Sequence, residues 1–180
     1  MRPADQLTVA RIAAAPLIVA LYVVDFSGHD YWATGLFAAA MATDWFDGWV
    51  ARRSGRQSAM GSLLDPVADK ILVLGVLIVL VDRGIFAGWM VAAIVAREFL
   101  VSGLRLAALE RGVVLGAREL AKLKTSLQSI AALLGGLAAA GAIRDDIAWW
   151  TLLTALVVTL LSGLDYARVA PRLLRSRAAA

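Results

Sequence analysis

Asp44, Asp47, Asp65 and Asp69 are the residues of this sequence best placed to do chemistry. They stand in the run Asp44-Trp-Phe-Asp47-Gly48-Trp-Val-Ala51-Arg52 and, eight residues later, in Gly61-Ser-Leu-Leu-Asp65-Pro-Val-Ala-Asp69-Lys70. On an α-helix, positions three apart lie about 60° apart and positions four apart about 40°. Each acidic pair therefore shares one helical face. The connection between the pairs is short and basic, which predicts two antiparallel neighbouring helices whose acidic pairs face one another. Four carboxylates gathered in one place repel each other, and burial would force some to take protons. A divalent cation resolves the conflict, and hard oxygen ligands without Cys or paired His select Mg²⁺, Mn²⁺ or Ca²⁺. Four carboxylates serve one or two such ions, and two ions close together clamp the attacking and leaving oxygens of a phosphoryl displacement.

The surrounding residues fit a phosphate ligand. Gly48 and Gly61 let a ligand or a neighbouring backbone come close. Arg52 lies eight residues after Asp44, about 80° around the helix, and a guanidinium beside a metal site suits a second phosphate. The competing explanation is four ordinary helix-end charges. Acids at helical spacings, with glycines between them and no local basic partner in the spans, argue against it.

A second group of charges lies further along. Arg97 falls about 16 Å into an apolar block at 1.5 Å per residue, where a charge needs a wet cavity or a partner. Glu98 and Arg105 are seven apart, nearly on one face, so a Glu98–Arg pair is the structural alternative to ligand binding. Lys122 and Lys124 point about 160° apart, which predicts that one of them reaches a cavity while the other meets anionic headgroups.

The elements that carry these residues are apolar. Of the 180 residues, 61% are hydrophobic, and the mean hydropathy is +0.75. The excess falls in six blocks, at about 8–25, 31–50, 66–82, 86–108, 121–143 and 147–170, each long enough to cross ~30 Å of hydrocarbon if tilted. Continuous blocks of this length satisfy their backbone in lipid as helices. The expected fold is therefore all-α, a polytopic membrane protein with six transmembrane helices in a single domain over residues 1–180. Arg2 before an apolar run has the look of a signal peptide, but Arg11 interrupts the run and five blocks follow, so a retained first span is expected. Cysteine is absent, which excludes disulfides and thiolate metal sites. A pI near 10.0 in a soluble chain would point to nucleic acid. In a membrane chain it points to charge asymmetry instead. Arg83 and Arg144 fall on one side, and the other 16 of the 18 Lys and Arg residues fall on the side of both termini. Positive charge stays inside, so both termini and the acidic cluster are expected to be cytoplasmic, in a bacterial inner membrane. Gly135, Gly136, Ala139, Ala140 and Gly141 form a small-residue face read as close helix packing. Trp32, Trp89, Trp149 and Trp150 lie near outer span ends, as an interfacial belt does. His29 lies on the outer side with no assigned role.

Residues 44–69 carry D-x-x-D-G-x-x-A-R-x8-G-x3-D-x3-D with all eight fixed positions in place. This pattern resembles the signature of the CDP-alcohol phosphotransferase family. The resemblance implies six membrane helices, a homodimer, a cytoplasm-facing cavity, and transfer of a substituted phosphate from a CDP-linked donor to an alcohol with release of CMP. It further implies that Asp44, Asp47, Asp65 and Asp69 hold Mg²⁺ or Mn²⁺ (two ions), that Asp69 is the general base, and that Gly48, Ala51, Arg52 and Gly61 shape the nucleotide-diphosphate pocket. Asp65-Pro66-Val-Ala-Asp69-Lys70 looks like the version in phosphatidylglycerophosphate synthases and CDP-diacylglycerol-using cardiolipin synthases. Ala96-Arg97-Glu98-Phe-Leu-Val-Ser102-Gly-Leu-Arg105, Lys122-Leu-Lys124-Thr125, and Leu7-Thr8-Val-Ala-Arg11 with Pro16 resemble the former group. Thr8 joins the expected donor-binding residues, and Asp5 stands where relatives often have Asn.

The expected activity is transfer of the phosphatidyl group from CDP-diacylglycerol to sn-glycerol 3-phosphate. Arg97, Arg105, Lys122 and Lys124 would bind the acceptor phosphate, and membrane lipids would surround the chain. A cardiolipin synthase would need a second apolar entrance and less basic charge. A divalent-cation channel would need its acids strung through the membrane rather than clustered to one side. Nucleic acid is not an expected partner.

Overall fold

The structure is a computed structural model that describes the backbone of residues 3–54, 59–110, 112 and 119–176, with side chains at 10–43, 67–110, 112, 121–164 and 166. The described residues form six α-helices: α1 (Pro3–Val23), α2 (His29–Ser54), α3 (Ala59–Asp82), α4 (Gly88–Glu110), α5 (Glu119–Ala139) and α6 (Asp145–Ser176). They match the six apolar blocks in order and number, and α6 runs several residues further than its block. The shortest have 21 residues, about 32 Å at 1.5 Å per residue. α1 continues through Pro16, whose missing N–H is tolerated in an apolar helix.

Two of the short connections end in the same cap. Gly84 (φ +75°) and Gly141 (φ +72°) take the left-handed conformation that a side chain resists. Their N–H groups donate to Val81 and Ala138, and the following N–H groups of Ile85 and Ala142 donate to Leu80 and Leu137. These bonds satisfy the last carbonyls of α3 and α5 and turn the chain back within a few residues.

Among the described residues the helices touch in the ring order α1, α2, α5, α6, α4, α3, and α3 also reaches across to α5. α1 therefore packs on both α2 and α3. The sequence predicted that α2 and α3 would be direct neighbours, but their described portions are not packed along one another. The stretches that carry Asp44, Asp47 and Asp65 lie outside the described side chains.

Burial is inverted relative to a water-soluble bundle. Ile18, Tyr22, Phe37, Leu72, Leu77, Met90 and Ile94 form a fully buried apolar core. Yet Arg97, Glu98, Lys124, Gln128, Thr159 and Ser162 are also buried, while Phe99, Trp89, Trp32, Leu106 and Trp150 are exposed. An apolar solvent stabilises that arrangement and water does not. Asp145–Leu164 is the one described segment both long and apolar enough to cross a membrane on hydropathy alone, and Ala10–Val23 is apolar but shorter. α4 fails that measure because Arg97, Glu98 and Arg105 interrupt it.

The small-residue face packs as its composition predicts. A Cβ on Gly135 would lie 2.5 Å from the Phe86 ring, and one on Gly136 would lie 2.3 Å from Tyr22 Oη and 2.5 Å from Thr34 Oγ1. At one end of the bundle Arg83 Nη2 donates to Asp30 Oδ2 at 2.8 Å, joining two connections expected on the outer side. His29, which had no assigned role, is buried there with Nδ1 3.2 Å from Leu21 O.

Candidate active site

Asp69 stands on α3, one turn after Asp65 and directly before Lys70. Its Oδ1 accepts a hydrogen bond from Arg11 Nη1 on α1 at 2.8 Å, and Arg11 is buried while the Asp69 side chain is 30% exposed. Arg11 entered the sequence reading as a break in an apolar run and as part of the Leu7–Arg11 resemblance, and the aspartates had no local basic partner. The partner is distant in sequence: α1 brings a guanidinium across to α3. The signal was present, because a charge inside a span calls for a partner of opposite sign.

Asp69 borders a cavity of about 530 Å³ whose other walls come from α4, α5 and α6. Arg97, Arg105, Lys122 and Lys124, all singled out from the sequence, line this same cavity together with Lys70, Glu98, Ser102 and Tyr166. Residues spread from position 69 to position 166 thus meet at one place. Lys122 is exposed and Lys124 buried, as their opposed directions predict. Both reach the cavity, however, because it wraps around the start of α5 and both side chains are long.

Glu98 organises the cationic wall. Its carboxylate is 4% exposed. It accepts from Arg97 Nη1 at 3.1 Å, from Lys124 Nζ, and from Gln128 Nε2 at 3.4 Å, while Lys70 Nζ lies 3.9 Å from its other oxygen. Gln128 also donates to Thr159 Oγ1 at 2.9 Å, which carries the network to α6. A buried anion with three cations and an amide around it fixes them in direction, at a site where unpaired charges would be costly.

The two arginines are held differently. Arg97 donates through Nη1 to Glu98 and through Nη2 to Ser162 Oγ at 2.8 Å. A Cβ on Gly163 would fall 3.1 Å from Arg97 Cγ and 3.2 Å from its Nε, so the side chain passes close over this glycine. Arg105 donates through Nη2 to Tyr166 Oη, and its guanidinium carbon sits 4.9 Å from the centre of that ring. Arg97 therefore fills the structural alternative raised by the sequence while still lining the cavity. Arg105 is paired with Tyr166 rather than with Glu98. The sequence missed Tyr166 and Lys70. Tyr166 has no periodic signature, whereas Lys70 beside a candidate base was open to notice.

Of the remaining predicted residues, Asp44, Asp47, Gly48, Ala51 and Arg52 lie on α2, Gly61 and Asp65 on α3, and Thr8 on α1. Their side chains fall outside the described ones. The helical backbone at those positions does bear out the three- and four-residue spacings as one-face spacings.

A family model described as CDP-alcohol phosphatidyltransferase matches residues 1–161. The chain belongs to the CDP-alcohol phosphatidyltransferase family. Within that family it is 39% identical over 140 residues to the CDP-diacylglycerol–glycerol-3-phosphate 3-phosphatidyltransferase of Bacillus subtilis, covering 71% of this chain and 72% of that protein. It is 37% identical over 165 residues to the protein of the same description from Rickettsia typhi, covering 90% and 93%. A chloroplastic/mitochondrial protein of that description from Arabidopsis thaliana is 40% identical over 139 residues, 69% of this chain and 47% of that one. The family match takes in the aspartate motif and every cavity residue named above except Tyr166.

Proposed function

We propose that this chain is a phosphatidylglycerophosphate synthase, which transfers the phosphatidyl group of CDP-diacylglycerol to sn-glycerol 3-phosphate and releases CMP. The observation that carries this is the position of the basic cavity. Asp69, the last aspartate of the family motif, opens onto a chamber walled by Lys70, Arg97, Arg105, Lys122 and Lys124. A phosphomonoester carries about −1.5 to −2 charge near neutral pH, and guanidiniums and ammoniums in a partly dehydrated cavity suit it. A lipid acceptor such as phosphatidylglycerol would have less use for so many cations, and this disfavours a cardiolipin synthase.

In this scheme Asp69 takes the proton of the sn-1 hydroxyl of glycerol 3-phosphate. That oxygen attacks the phosphorus bearing diacylglycerol, the bond from phosphorus to the CMP oxygen breaks, and CMP leaves. Arg11 holds the Asp69 carboxylate in direction, and the cationic wall holds the acceptor phosphate so that the hydroxyl meets the donor. No covalent intermediate on the chain is needed. Divalent metal fits the donor set: Asp69 is a hard oxygen ligand facing the cavity, Asp65 is one turn away, and no thiolate competes. Asp44, Asp47, Asp65 and Asp69 would hold two Mg²⁺ or Mn²⁺ ions, whose chemistry is to neutralise the donor diphosphate and the departing CMP. Thr8, Gly48, Ala51, Arg52 and Gly61 would shape the donor pocket.

We place all six helices across a bacterial inner membrane as one domain of a homodimer, with both termini and the cavity on the cytoplasmic side. Helix lengths of 21–32 residues, the exposed apolar surface and the bias of basic residues support this. The deciding experiment is CMP release by purified protein given CDP-diacylglycerol with glycerol 3-phosphate, glycerol, inositol phosphate or phosphatidylglycerol. Release with glycerol 3-phosphate alone is expected, and preference for phosphatidylglycerol would make the chain a cardiolipin synthase.

A further inference from the structure

Five basic side chains line the cavity, and three of them, Arg97, Lys124 and Arg105, are held by partners in its wall. Arg97 is 7% exposed, with one terminal nitrogen on Glu98 and the other on Ser162. Lys124 is also 7% exposed and donates to Glu98. Arg105 donates to Tyr166 and lies over its ring. Lys122 is exposed at the start of α5.

Lys70 differs. Its side chain is 40% exposed, and it is the cation that α3 places directly beside Asp69. Its ammonium is aimed by a short relay. Ser102 Oγ donates its own proton to Glu98 O at 2.7 Å, so the hydroxyl has only lone pairs left to offer. Lys70 Nζ donates to that oxygen. The nearest carboxylate oxygen, Glu98 Oε2, is 3.9 Å away, beyond hydrogen-bond range. A lysine has three N–H donors, and one neutral hydroxyl occupies one of them.

We infer that Lys70 is a phosphate ligand of this site, contacting the phosphate of the acceptor, and that Ser102 is the positioning residue that aims it. A cation one residue from the base binds the acceptor close to the hydroxyl that must lose its proton. It therefore fixes which end of the acceptor faces Asp69. The anchor to Ser102 ties α3 to α4, so the distance between base and phosphate ligand is set by the packing of two helices rather than by a mobile side chain. This assignment presupposes a phosphate-bearing acceptor, as proposed above.

The test uses full-length protein in detergent or vesicles, with Lys70→Met, Lys70→Arg, Ser102→Ala and the Lys70→Met/Ser102→Ala double variant. Losing one charge-assisted hydrogen bond is worth roughly tenfold or more in affinity. Lys70→Met should raise the KM for glycerol 3-phosphate by about that factor, with the KM for CDP-diacylglycerol within about twofold of wild type. Lys70→Arg should recover part of the loss. Ser102→Ala should raise the same KM by a smaller factor, and should add almost nothing in the double variant, because both changes disable one contact. A shift confined to the CDP-diacylglycerol KM would put Lys70 on the donor's phosphates and overturn the assignment. Unchanged KM values in Lys70→Met, or full additivity with Ser102→Ala, would overturn it as well. Retained thermal stability of Lys70→Arg guards against misfolding as the cause. If the wild type itself ignores glycerol 3-phosphate, it is the proposed acceptor that fails. If the wild type uses it and the variants match the wild type, the Lys70 assignment fails alone.

Discussion

Arg11 on the first helix and Asp69 on the third are 58 positions apart, and Arg11 Nη1 donates to Asp69 Oδ1 at 2.8 Å. The guanidinium is buried, and the carboxylate opens onto the cavity. A general base, the role proposed for Asp69, needs a fixed direction as much as it needs a proton affinity, and this contact supplies one. Asp69→Asn should abolish turnover while leaving much of the CDP-diacylglycerol binding. Arg11→Met should lower turnover at least about tenfold, and should cost little more in the Asp69→Asn background, since contacting residues couple. Near-normal turnover of Asp69→Asn would remove it as the base.

Activity should require Mg²⁺ or Mn²⁺ and vanish with excess chelator, because the motif offers hard oxygens only. Asp44→Ala should lose donor binding and turnover together. Full turnover in EDTA without added metal would be incompatible with the proposed metal site.

Arg105→Ala should raise the glycerol 3-phosphate KM roughly tenfold or more with little change for the donor. Arg97→Ala should do the same and should also lower the thermal midpoint in detergent, since Glu98 and Ser162 lose a buried partner. Plain glycerol should be a poor acceptor, and the arginine changes should cost it little further, because enzyme and substrate changes delete the same contact. Equal use of glycerol by the wild type would assign these arginines to architecture.

Gly136→Ala should destabilise by about 1–3 kcal/mol, the range for overpacking a tight interior, since its new methyl would meet Tyr22 and Thr34. Gly75→Ala is the control: its Cβ would sit at an ordinary 3.5 Å from Val19, so melting near the wild-type temperature is expected. Equal melting of both variants would mean the α5 face is not tightly packed.

Sidedness can be read with single cysteines, because the chain has none of its own. Ser27→Cys should react with an impermeant thiol reagent added to intact cells, and Ser54→Cys only after the membrane is opened. The reverse pattern would invert the proposed topology.

Much of this was legible in the sequence because it is periodic or local. Apolar blocks gave six helices, the spacing of small residues gave the close face around Gly136, and the aspartate motif pointed to the family. The cavity was legible in part. Arg97, Arg105, Lys122 and Lys124 were chosen for charge in apolar surroundings, and they share a chamber. What escaped were contacts set by which helix lies beside which. Arg11 meets Asp69 because α1 packs on α3, and Tyr166 meets Arg105 because α6 packs on α4. No period along one chain encodes those neighbours. α2 and α3 are likewise both packed by α1 along their described portions, while the facing acidic stretches expected beside their connection lie outside the described side chains.

The Glu98 network also carries a consequence for how the protein is made. Glu98 and Arg97 belong to the fourth helix, while Lys124 and Gln128 belong to the fifth and Ser162 and Thr159 to the sixth. A ribosome therefore delivers the central anion and its adjoining guanidinium before most of their partners exist. Until the last helix arrives, a half-built polar cluster sits in the insertion machinery or in lipid, where unpaired charge is costly. The cationic chamber is thus the last part of the molecule to be completed during synthesis, and chains truncated before residue 159 should be recognised by quality-control proteases even though five of the six helices are present.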